Sequence, residues 1–226
     1  MKSKAKQPAV RRTKVFIVDD HPMMREGLAQ LIAQEKDLVV CGEAEDAAGA
    51  LQQIEQLQPD LALVDITLRT TNGLELIKDL RLRVPGLAVL VISMHEESLY
   101  AERVLRAGGR GYIMKQEGGK KLMTAIRHVL GGGTYVSEKM AAKILDIFSG
   151  RRADGASPVE TLTDREFEVF QLLGQGRSTK EIAEQLRVSA KTVEVHRVNI
   201  KQKLKVSTAA ELIHFAARWT ESSGRS

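Results

Sequence analysis

The sequence predicts two domains, an α/β domain with a five-stranded doubly wound parallel sheet followed by a small all-α domain. Within the first 136 residues, short apolar runs rich in β-branched residues alternate with amphipathic segments, an order typical of a parallel sheet covered by helices on both faces. The remainder of the chain carries only helical patterns. A length of 226 residues also suits two modest domains better than one large domain.

Five runs are the predicted strands, namely KVFIVDD, LVVCGEA, LALVDI, LAVLVISM and GYIMK. Amphipathic stretches such as MMREGLAQLIAQ and GLELIKDLRLR separate these runs and predict the covering helices. The single cysteine, Cys41, lies in the second run, where we expect a buried strand residue. One cysteine excludes an intramolecular disulfide, which fits reducing surroundings.

Changes in composition divide the chain into four predicted segments. Residues 1–12 form a basic tail, 13–136 the α/β domain, 137–158 a linker and 159–226 the helical domain. The linker begins with SEKMAAKILDIF, which predicts a helix, and continues with SGRRADGASP. Small, charged and Gly/Pro-bearing residues cannot bury enough apolar surface to offset their ordering entropy, so this second half is expected to be flexible.

Capping signals mark the helices of the second domain. A hydroxyl residue precedes a glutamate by three positions at Thr163 and Glu166, at Ser178 and Glu181, and at Thr208 and Glu211. Helices are therefore predicted at about 164–173, 179–186, 190–204 and 209–219. A short helix, a turn at LRVS and a longer helix are typical of a helix-turn-helix, whose second helix enters the DNA major groove.

Positive charge is concentrated in one part of the chain. Between Arg177 and Lys205 there are eight Lys or Arg and three Glu, an excess equal to the net charge of +5 for the whole chain. Such a cluster is typical of phosphate-backbone binding, although a solvated helix face can have the same composition. No run approaches the roughly 18 apolar residues of a membrane span, and no apolar stretch follows the lysine-rich start. We therefore expect a cytoplasmic protein with no membrane partner.

Three carboxylates follow predicted strands at one edge of the sheet. Asp19 and Asp20 end the first run, and Asp65 follows LALV in the third. If strands one and three are neighbours, these side chains converge, because ligand sites in open parallel sheets lie beyond the carboxyl ends of the strands. Crowded like charges need a cation, and Mg²⁺ prefers such oxygen ligands. The cluster therefore predicts a magnesium site, whereas His21 beside Pro22 is expected to shape the turn.

Two further strand ends carry complementary groups. Ser93 closes LAVLVIS, and Lys115 closes GYIMK. A hydroxyl and an ammonium directed at the same pocket would hold the oxygens of a phosphoryl group. In that setting Asp65 becomes the candidate nucleophile, since carboxylates form acyl-phosphates.

Together these positions resemble the receiver domain of two-component response regulators. The resemblance spans nearly all of residues 13–132 and rests on DDHPMMREGL, on Asp65 with Gly73 eight residues later, on Ser93 and on GYIMK. The DDHP motif followed by MREGL resembles the NarL/FixJ subfamily in particular. The resemblance implies that Asp65 accepts a phosphoryl group from a sensor histidine kinase.

The resemblance also implies a set of metal ligands. Asp20 and Asp65 would bind Mg²⁺ directly, together with the backbone carbonyl of Thr67, and Asp19 would act through water. Thr67 and His95 either line the access of water to the phosphoryl group or simply fill their loops.

The remaining family positions form the switch. Ser93 and Tyr112 would be the switch pair, and Lys115 would bind the phosphoryl group. One position departs from the family, because receivers usually carry proline four residues after the phosphorylated aspartate and this chain has Arg69. That leaves open whether the loop is more mobile or Arg69 reaches the phosphoryl group. Every chemical position is intact, so phosphorylation is still expected.

The long helix of the helix-turn-helix has two different faces. Val193, Ile200 and Leu204 recur at helical spacing and should face the core. The opposite side carries Val195 and Val198, which suit contact with thymine methyl groups. Candidates for base edges are Glu194 and Asn199, and candidates for phosphates are Lys180, Lys191, Thr192, Arg197 and Lys201.

This segment resembles the LuxR-type helix-turn-helix in LTDRE, KEIAEQL and VSAKTVEVHRVNIKQKL. A helical bundle that binds only protein is the competing interpretation. The two resemblances imply a transcription factor that binds double-stranded DNA under the control of Asp65. They further imply a homodimer on inverted half-sites when phosphorylated, and a resting receiver that masks the recognition helix. RNA polymerase is a further candidate partner.

Two other functions are weighed against this one. Aspartyl-phosphate chemistry also serves phosphohydrolases, but those of the haloacid dehalogenase type carry an Asp-x-Asp pair, and here Thr67 stands at the second position after Asp65. A DNA-binding regulator that works without phosphate is the other alternative, which the intact Asp19, Asp20 and Lys115 argue against. We therefore expect a regulator and not an enzyme.

Overall fold

A computed structural model describes residues 12–68, 72–148 and 158–223. Most of the predicted tail, Arg69 and the second half of the predicted linker lie outside these ranges. Five strands form one parallel sheet in the order β2-β1-β3-β4-β5. The strands are β1 (Thr13–Val18), β2 (Leu38–Ala44), β3 (Leu61–Val64), β4 (Ala88–Ser93) and β5 (Gly111–Met114).

Helices cover both faces of this sheet and explain why its strands are apolar at successive positions. Alternate residues of β1 enter different cores, with Phe16 and Val18 on one face and Val15 and Ile17 on the other, as the two-residue period of a strand requires. The covering helices are α1 (Pro22–Ala33), α2 (Ala47–Leu57), α3 (Gly73–Arg83), α4 (Glu97–Ala107) and α5 (Gly118–Leu130). The predicted doubly wound α/β fold is confirmed.

The rest of the described chain is helical, as predicted. Helix α6 (Glu138–Phe148) begins the predicted linker, and a short 3-10 helix (Pro158–Thr161) precedes the second domain. The second domain contains α7 (Asp164–Gly174), α8 (Thr179–Leu186), α9 (Ala190–Leu204) and α10 (Ala209–Ser223). All three predicted capping pairs form, since the Thr163, Ser178 and Thr208 hydroxyls each accept from the backbone N–H three residues on.

Cys41 is less buried than the sequence predicts. It lies on β2 and is half-buried, because β2 is an edge strand of the sheet. Desolvation nevertheless raises the pKa of its thiol, which keeps it in the unreactive protonated form.

The two domains pack against each other through α4 and α7, and their buried side chains form one continuous cluster. The outer face of the recognition helix α9 stays open, with Val195 53% and Val198 47% exposed. The expected masking of that face is therefore wrong for this structure, in which the α/β domain contacts α7 instead. In the described ranges, none of the helices has both the length and the apolar character needed to cross a membrane.

Candidate functional site

The three predicted carboxylates lie together beyond the carboxyl ends of β1 and β3. Val18 pairs with Val64 in the sheet, so Asp19 and Asp65 leave adjacent strands at the same level. Ligand atoms of Asp19, Asp20, His21 and Asp65 all lie within 4.8 Å of one another. The structure thus brings the acidic residues together because β1 and β3 are neighbours, the condition on which the prediction depended.

Lys115 lies between two of these carboxylates. Its Nζ is 2.6 Å from Asp19 Oδ2 and 2.7 Å from Asp65 Oδ2, and only 4% of its side chain is exposed. Burial raises the pKa of Asp65 to about 6, against the opposing effect of the Lys115 ammonium. At neutral pH the Asp65 carboxylate is therefore mainly ionised, poorly hydrated and held beside a cation, which suits a nucleophile.

Asp20 offers an oxygen that the described part of the chain does not satisfy. Its Oδ1 is buried and accepts no hydrogen bond of good geometry from those residues, although His21 Nδ1 lies 2.8 Å away. The His21 ring is 68% exposed, and its backbone N–H donates to Asp19 Oδ1 at 2.8 Å, in agreement with a role in the turn. A buried carboxylate oxygen that accepts no hydrogen bond of good geometry from the described residues, close to Asp19 and Asp65, fits a hard divalent cation.

The proposed switch residues meet at the end of β4. The Ser93 hydroxyl is buried and accepts from the backbone N–H of His95 at 3.2 Å. The Tyr112 hydroxyl donates to the backbone carbonyl of His95 at 2.7 Å, and burial is the main cause of a Tyr112 pKa far above its ordinary value. Ser93 and Tyr112 are therefore linked through His95.

Thr67 joins the two loops that border the acidic pocket. Its backbone N–H donates to Asp65 Oδ1 at 3.3 Å, and its Oγ1 lies 3.1 Å from His95 Nε2. Burial, with a smaller effect of the Lys115 charge, lowers the pKa of His95. At neutral pH its ring is therefore uncharged and contacts Thr67 by an ordinary hydrogen bond.

The recognition helix presents its residues much as the helical period predicts. Val193, Ile200 and Leu204 are buried, and Val195 and Val198 are exposed. Of the polar candidates, Lys180, Lys191 and Glu194 are exposed, and Thr192, Arg197, Asn199 and Lys201 are partly buried.

Two of these polar candidates are already paired with each other. Arg197 Nη1 donates to Glu194 Oε1 at 2.9 Å and to Thr179 Oγ1 at 2.7 Å. The Thr179 hydroxyl donates to the same Glu194 oxygen at 2.8 Å. This network occupies Glu194 Oε1 and Arg197 Nη1, so a DNA contact that uses either of these atoms requires the network to rearrange.

Sequence reasoning missed the residues that join the two domains. Tyr100 on α4 and Gln171 on α7 are both buried and hydrogen-bond to each other at 2.7 Å. The sequence does predict that Tyr100 is buried, because it lies on the apolar face of the amphipathic helix α4. Gln171 is polar, and nothing in the local sequence shows that it is buried against a partner in the other domain.

Two protein families match separate parts of the chain. Residues 15–127 match the response regulator receiver domain, and residues 160–216 match the bacterial regulatory proteins of the luxR family. The first match contains the acidic pocket, and the second contains α7, α8 and α9.

Relatives cover nearly the whole chain. The oxygen regulatory protein NreC of Staphylococcus carnosus is 34% identical over 210 residues, which are 91% of this chain and 97% of NreC. The transcriptional activator protein ExaE of Pseudomonas putida is 37% identical over 202 residues, 89% of this chain and 94% of ExaE. A structure of RcsB from Salmonella enterica serovar Typhimurium, bound to promoter rprA with the phosphomimetic BeF₃⁻, has a similar fold. It is 24% identical with a TM-score of 0.61, over 92% of this chain and 99% of that chain.

Proposed function

The chain belongs to the NarL/FixJ family of two-component response regulators, with a receiver domain and a LuxR-type DNA-binding domain, and we propose that phosphorylation of Asp65 by a sensor histidine kinase controls its binding to DNA. The family consists of transcriptional regulators and not of enzymes, which removes the phosphohydrolase alternative. The observation that carries the proposal is the pairing of buried Asp65 with Lys115, beside an unsatisfied oxygen of Asp20.

The chemistry proposed for this pocket is a phosphoryl transfer. An Asp65 carboxylate oxygen forms a bond to phosphorus as the bond between phosphorus and the donor nitrogen of the kinase histidine breaks. The Lys115 ammonium, now shared between Asp19 and Asp65, would hold one oxygen of the transferred group, and the Ser93 hydroxyl would donate to another. If the loop after β4 moved with Ser93, the Tyr112 hydroxyl would lose its hydrogen bond to the backbone carbonyl of His95.

Mg²⁺ is the cofactor that suits these residues. Asp20 and Asp65 would bind it directly with the Thr67 carbonyl, and Asp19 would act through water. The cation would neutralise charge on the phosphoryl oxygens during transfer. Asp20 supports this assignment best, because its buried Oδ1 accepts no hydrogen bond of good geometry from the described residues, which is unfavourable unless a cation binds it.

Incubation with acetyl phosphate and Mg²⁺ should add one phosphoryl group to the protein. The small-molecule donor replaces the kinase, so the result depends only on the pocket. Intact-mass spectrometry would measure the addition. EDTA should prevent it, and excess Mg²⁺ should restore it. Equal labelling in EDTA would show that the acidic cluster does not use a divalent cation.

The second half of the proposal concerns the DNA-binding domain. Lys180, Lys191, Thr192, Arg197 and Lys201 are proposed to contact phosphates. Glu194, Val195, Val198 and Asn199 are proposed to contact bases. The full-length protein would act in the cytoplasm as a phosphorylation-dependent homodimer on inverted half-sites, with RNA polymerase as a further partner. The phosphate-independent alternative keeps the same DNA surface but makes no use of Asp65.

Val195→Ala and Asn199→Ala should change which operator bases are preferred, because each removes a proposed base contact. The expected loss for the preferred sequence is roughly 1–3 kcal/mol for each specific contact. Lys201→Ala should weaken binding to all DNA sequences alike. It should also reduce the slope of log K against log salt concentration by about one unit. Selection from random-sequence duplexes, followed by anisotropy titrations at several salt concentrations, would measure both effects. The reverse pattern would mean that α9 is rotated about its axis relative to this assignment.

A further inference from the structure

Thr179 joins the two helices of the helix-turn-helix through its hydroxyl. It is the first residue of α8, and its hydroxyl donates to Glu194 Oε1 on α9 at 2.8 Å. The same hydroxyl accepts from Arg197 Nη1 at 2.7 Å, and Arg197 Nη1 also donates to Glu194 Oε1 at 2.9 Å. These three side chains form the Thr179 network, in which every hydrogen bond has a charged donor or acceptor and is therefore of the stronger kind.

The backbone of Thr179 is fixed by the cap of α8. The Ser178 hydroxyl accepts from the backbone N–H of Glu181, and the Glu181 carboxylate accepts from the backbone N–H of Ser178 at 2.8 Å. One turn further on, Ile182 is fully buried and anchors the helix to the core. Because a capping box sets the direction in which a helix begins, the Thr179 hydroxyl is a fixed point to which Glu194 is attached.

The Thr179 network holds Glu194 by one oxygen and leaves the other oxygen available. Both hydrogen bonds end on Oε1, and among the described residues none donates to Oε2. The Glu194 side chain is 54% exposed and lies next to Val195 on the open face of α9. A glutamate that is already held loses less side-chain entropy when it binds a ligand than a free one does. Glu194 is therefore arranged to accept a hydrogen bond from outside the protein.

A carboxylate on this face selects among bases by its chemistry, because an ionised carboxylate only accepts hydrogen bonds. In the major groove, guanine offers N7 and O6 acceptors and thymine offers its O4 acceptor, all of which repel a carboxylate. Adenine carries a donor beside an N7 acceptor, whereas the major-groove hydrogen-bonding group of cytosine is the N4 amino donor alone. Cytosine is therefore the base that suits Glu194 best.

We propose that Thr179 is a positioning residue for sequence reading, which holds Glu194 so that its Oε2 accepts from the N4 amino group of a cytosine in the major groove. This inference rests on the proposed function, since it takes α9 as the helix that reads DNA. Thr179 itself contacts no base in this arrangement. Without its hydroxyl, Glu194 turns more freely toward solvent, so the preference for cytosine falls at one position while the rest of the interface is unchanged.

The test begins with the full-length protein, treated with acetyl phosphate and Mg²⁺, which selects a preferred duplex from random sequences. Fluorescence anisotropy then gives the Kd for that duplex and for each of its single-base-pair variants. Discrimination is a ratio of two Kd values for one preparation, so the extent of phosphorylation affects both values alike. The wild type should prefer cytosine by about tenfold at one position, and Glu194→Ala should abolish the preference at that position only.

Thr179→Val keeps the shape of the side chain and removes its hydroxyl. It should reduce the preference for cytosine to about threefold and leave the preferences at other positions unchanged. Thr179→Ser keeps the hydroxyl and should retain the full preference, a rescue that a space-filling role for Thr179 does not predict. In a Glu194→Ala background, Thr179→Val should have no further effect on discrimination, because the two changes act through one contact.

Thr220→Val is the matched control, because the Thr220 hydroxyl bonds to the Ala216 carbonyl of its own helix, α10. It should leave every preference unchanged. If Thr179→Val fails to fold, as judged by circular dichroism, Thr179→Ala removes the same hydroxyl and decides in its place.

Three results would overturn the positioning role while leaving DNA binding by α9 standing. These are an unchanged preference without the Thr179 hydroxyl, loss of the preference in Thr179→Ser, and a Glu194-dependent preference for a base other than cytosine. A wild type that selects no preferred duplex would instead contradict the proposed function, and the reading of cytosine with it.

Discussion

Asp65→Asn is expected to abolish phosphoryl acceptance from acetyl phosphate while leaving the protein folded. An amide has no anionic oxygen to attack phosphorus, and no other described carboxylate pairs with Lys115 except Asp19, which is fully buried. Intact-mass spectrometry after incubation with acetyl phosphate and Mg²⁺ should therefore show only the unmodified mass.

The fold should survive because Asp65 is costly to bury as an anion. Its pKa, raised to about 6 mainly by desolvation, means that folding disfavours the charged form at neutral pH. Asparagine is nearly the same size and avoids that cost, although it forfeits the pairing with Lys115. The two effects oppose each other, so thermal unfolding monitored by circular dichroism should give a melting temperature close to that of the wild type.

Asp79→Asn is the matched control, because Asp79 is an exposed carboxylate on α3. It should accept one phosphoryl group at the wild-type rate. Continued single labelling of Asp65→Asn would identify a different acceptor and refute the role assigned to Asp65. Loss of labelling accompanied by unfolding would show that Asp65 is needed for the structure, and the assignment would then require a variant that folds.

The convergence of the acidic residues could be predicted because it follows from the backbone alone. A strand of successive apolar residues must be covered on both faces, and ligand sites of such sheets lie at one edge. Once β1 and β3 are neighbours, Asp19 and Asp65 must lie close together. The helices of the second domain were equally predictable, because three of the four begin with a local capping pair such as Thr163 and Glu166.

Contacts between the domains could not be predicted, because no local signal encodes them. Tyr100 looks like any core residue of an amphipathic helix, and Arg103, whose guanidinium donates to the Leu162 carbonyl at 2.9 Å, looks like a solvated charge. Which side of the receiver meets α7 depends on the sum of many long-range contacts. The pairing of Arg197 with Glu194 and Thr179 was missed for a related reason. The helical period places side chains on a face but does not decide which of them bond to each other.

Gly73→Ala is expected to damage both the stability of the receiver and its phosphoryl acceptance. A Cβ at this position would lie 2.2 Å from the Asp65 carbonyl oxygen and 2.9 Å from the Ile66 Cα. Both are backbone atoms, so no side chain can rotate to relieve the overlap. The Gly73 N–H also donates to the Ile66 carbonyl at 2.7 Å, which fixes the start of α3 against the end of β3. The backbone must therefore shift at the start of α3 or at the end of β3, and we expect Asp65 to be displaced with it.

We expect Gly73→Ala to lower the free energy of unfolding by about 2–3 kcal/mol, as overpacking a rigid site does. Because Asp65 is displaced with its backbone, labelling by acetyl phosphate should be about 100-fold slower. Gly27→Ala is the control, since Gly27 lies within α1 and a Cβ there meets no atom within 4 Å. Replacing a helical glycine should raise stability by about 0.5–1 kcal/mol. Urea unfolding measures the stability, and mass spectrometry at successive times measures the labelling rate. If Gly73→Ala were as stable as Gly27→Ala, the start of α3 would be able to shift without moving the phosphoacceptor.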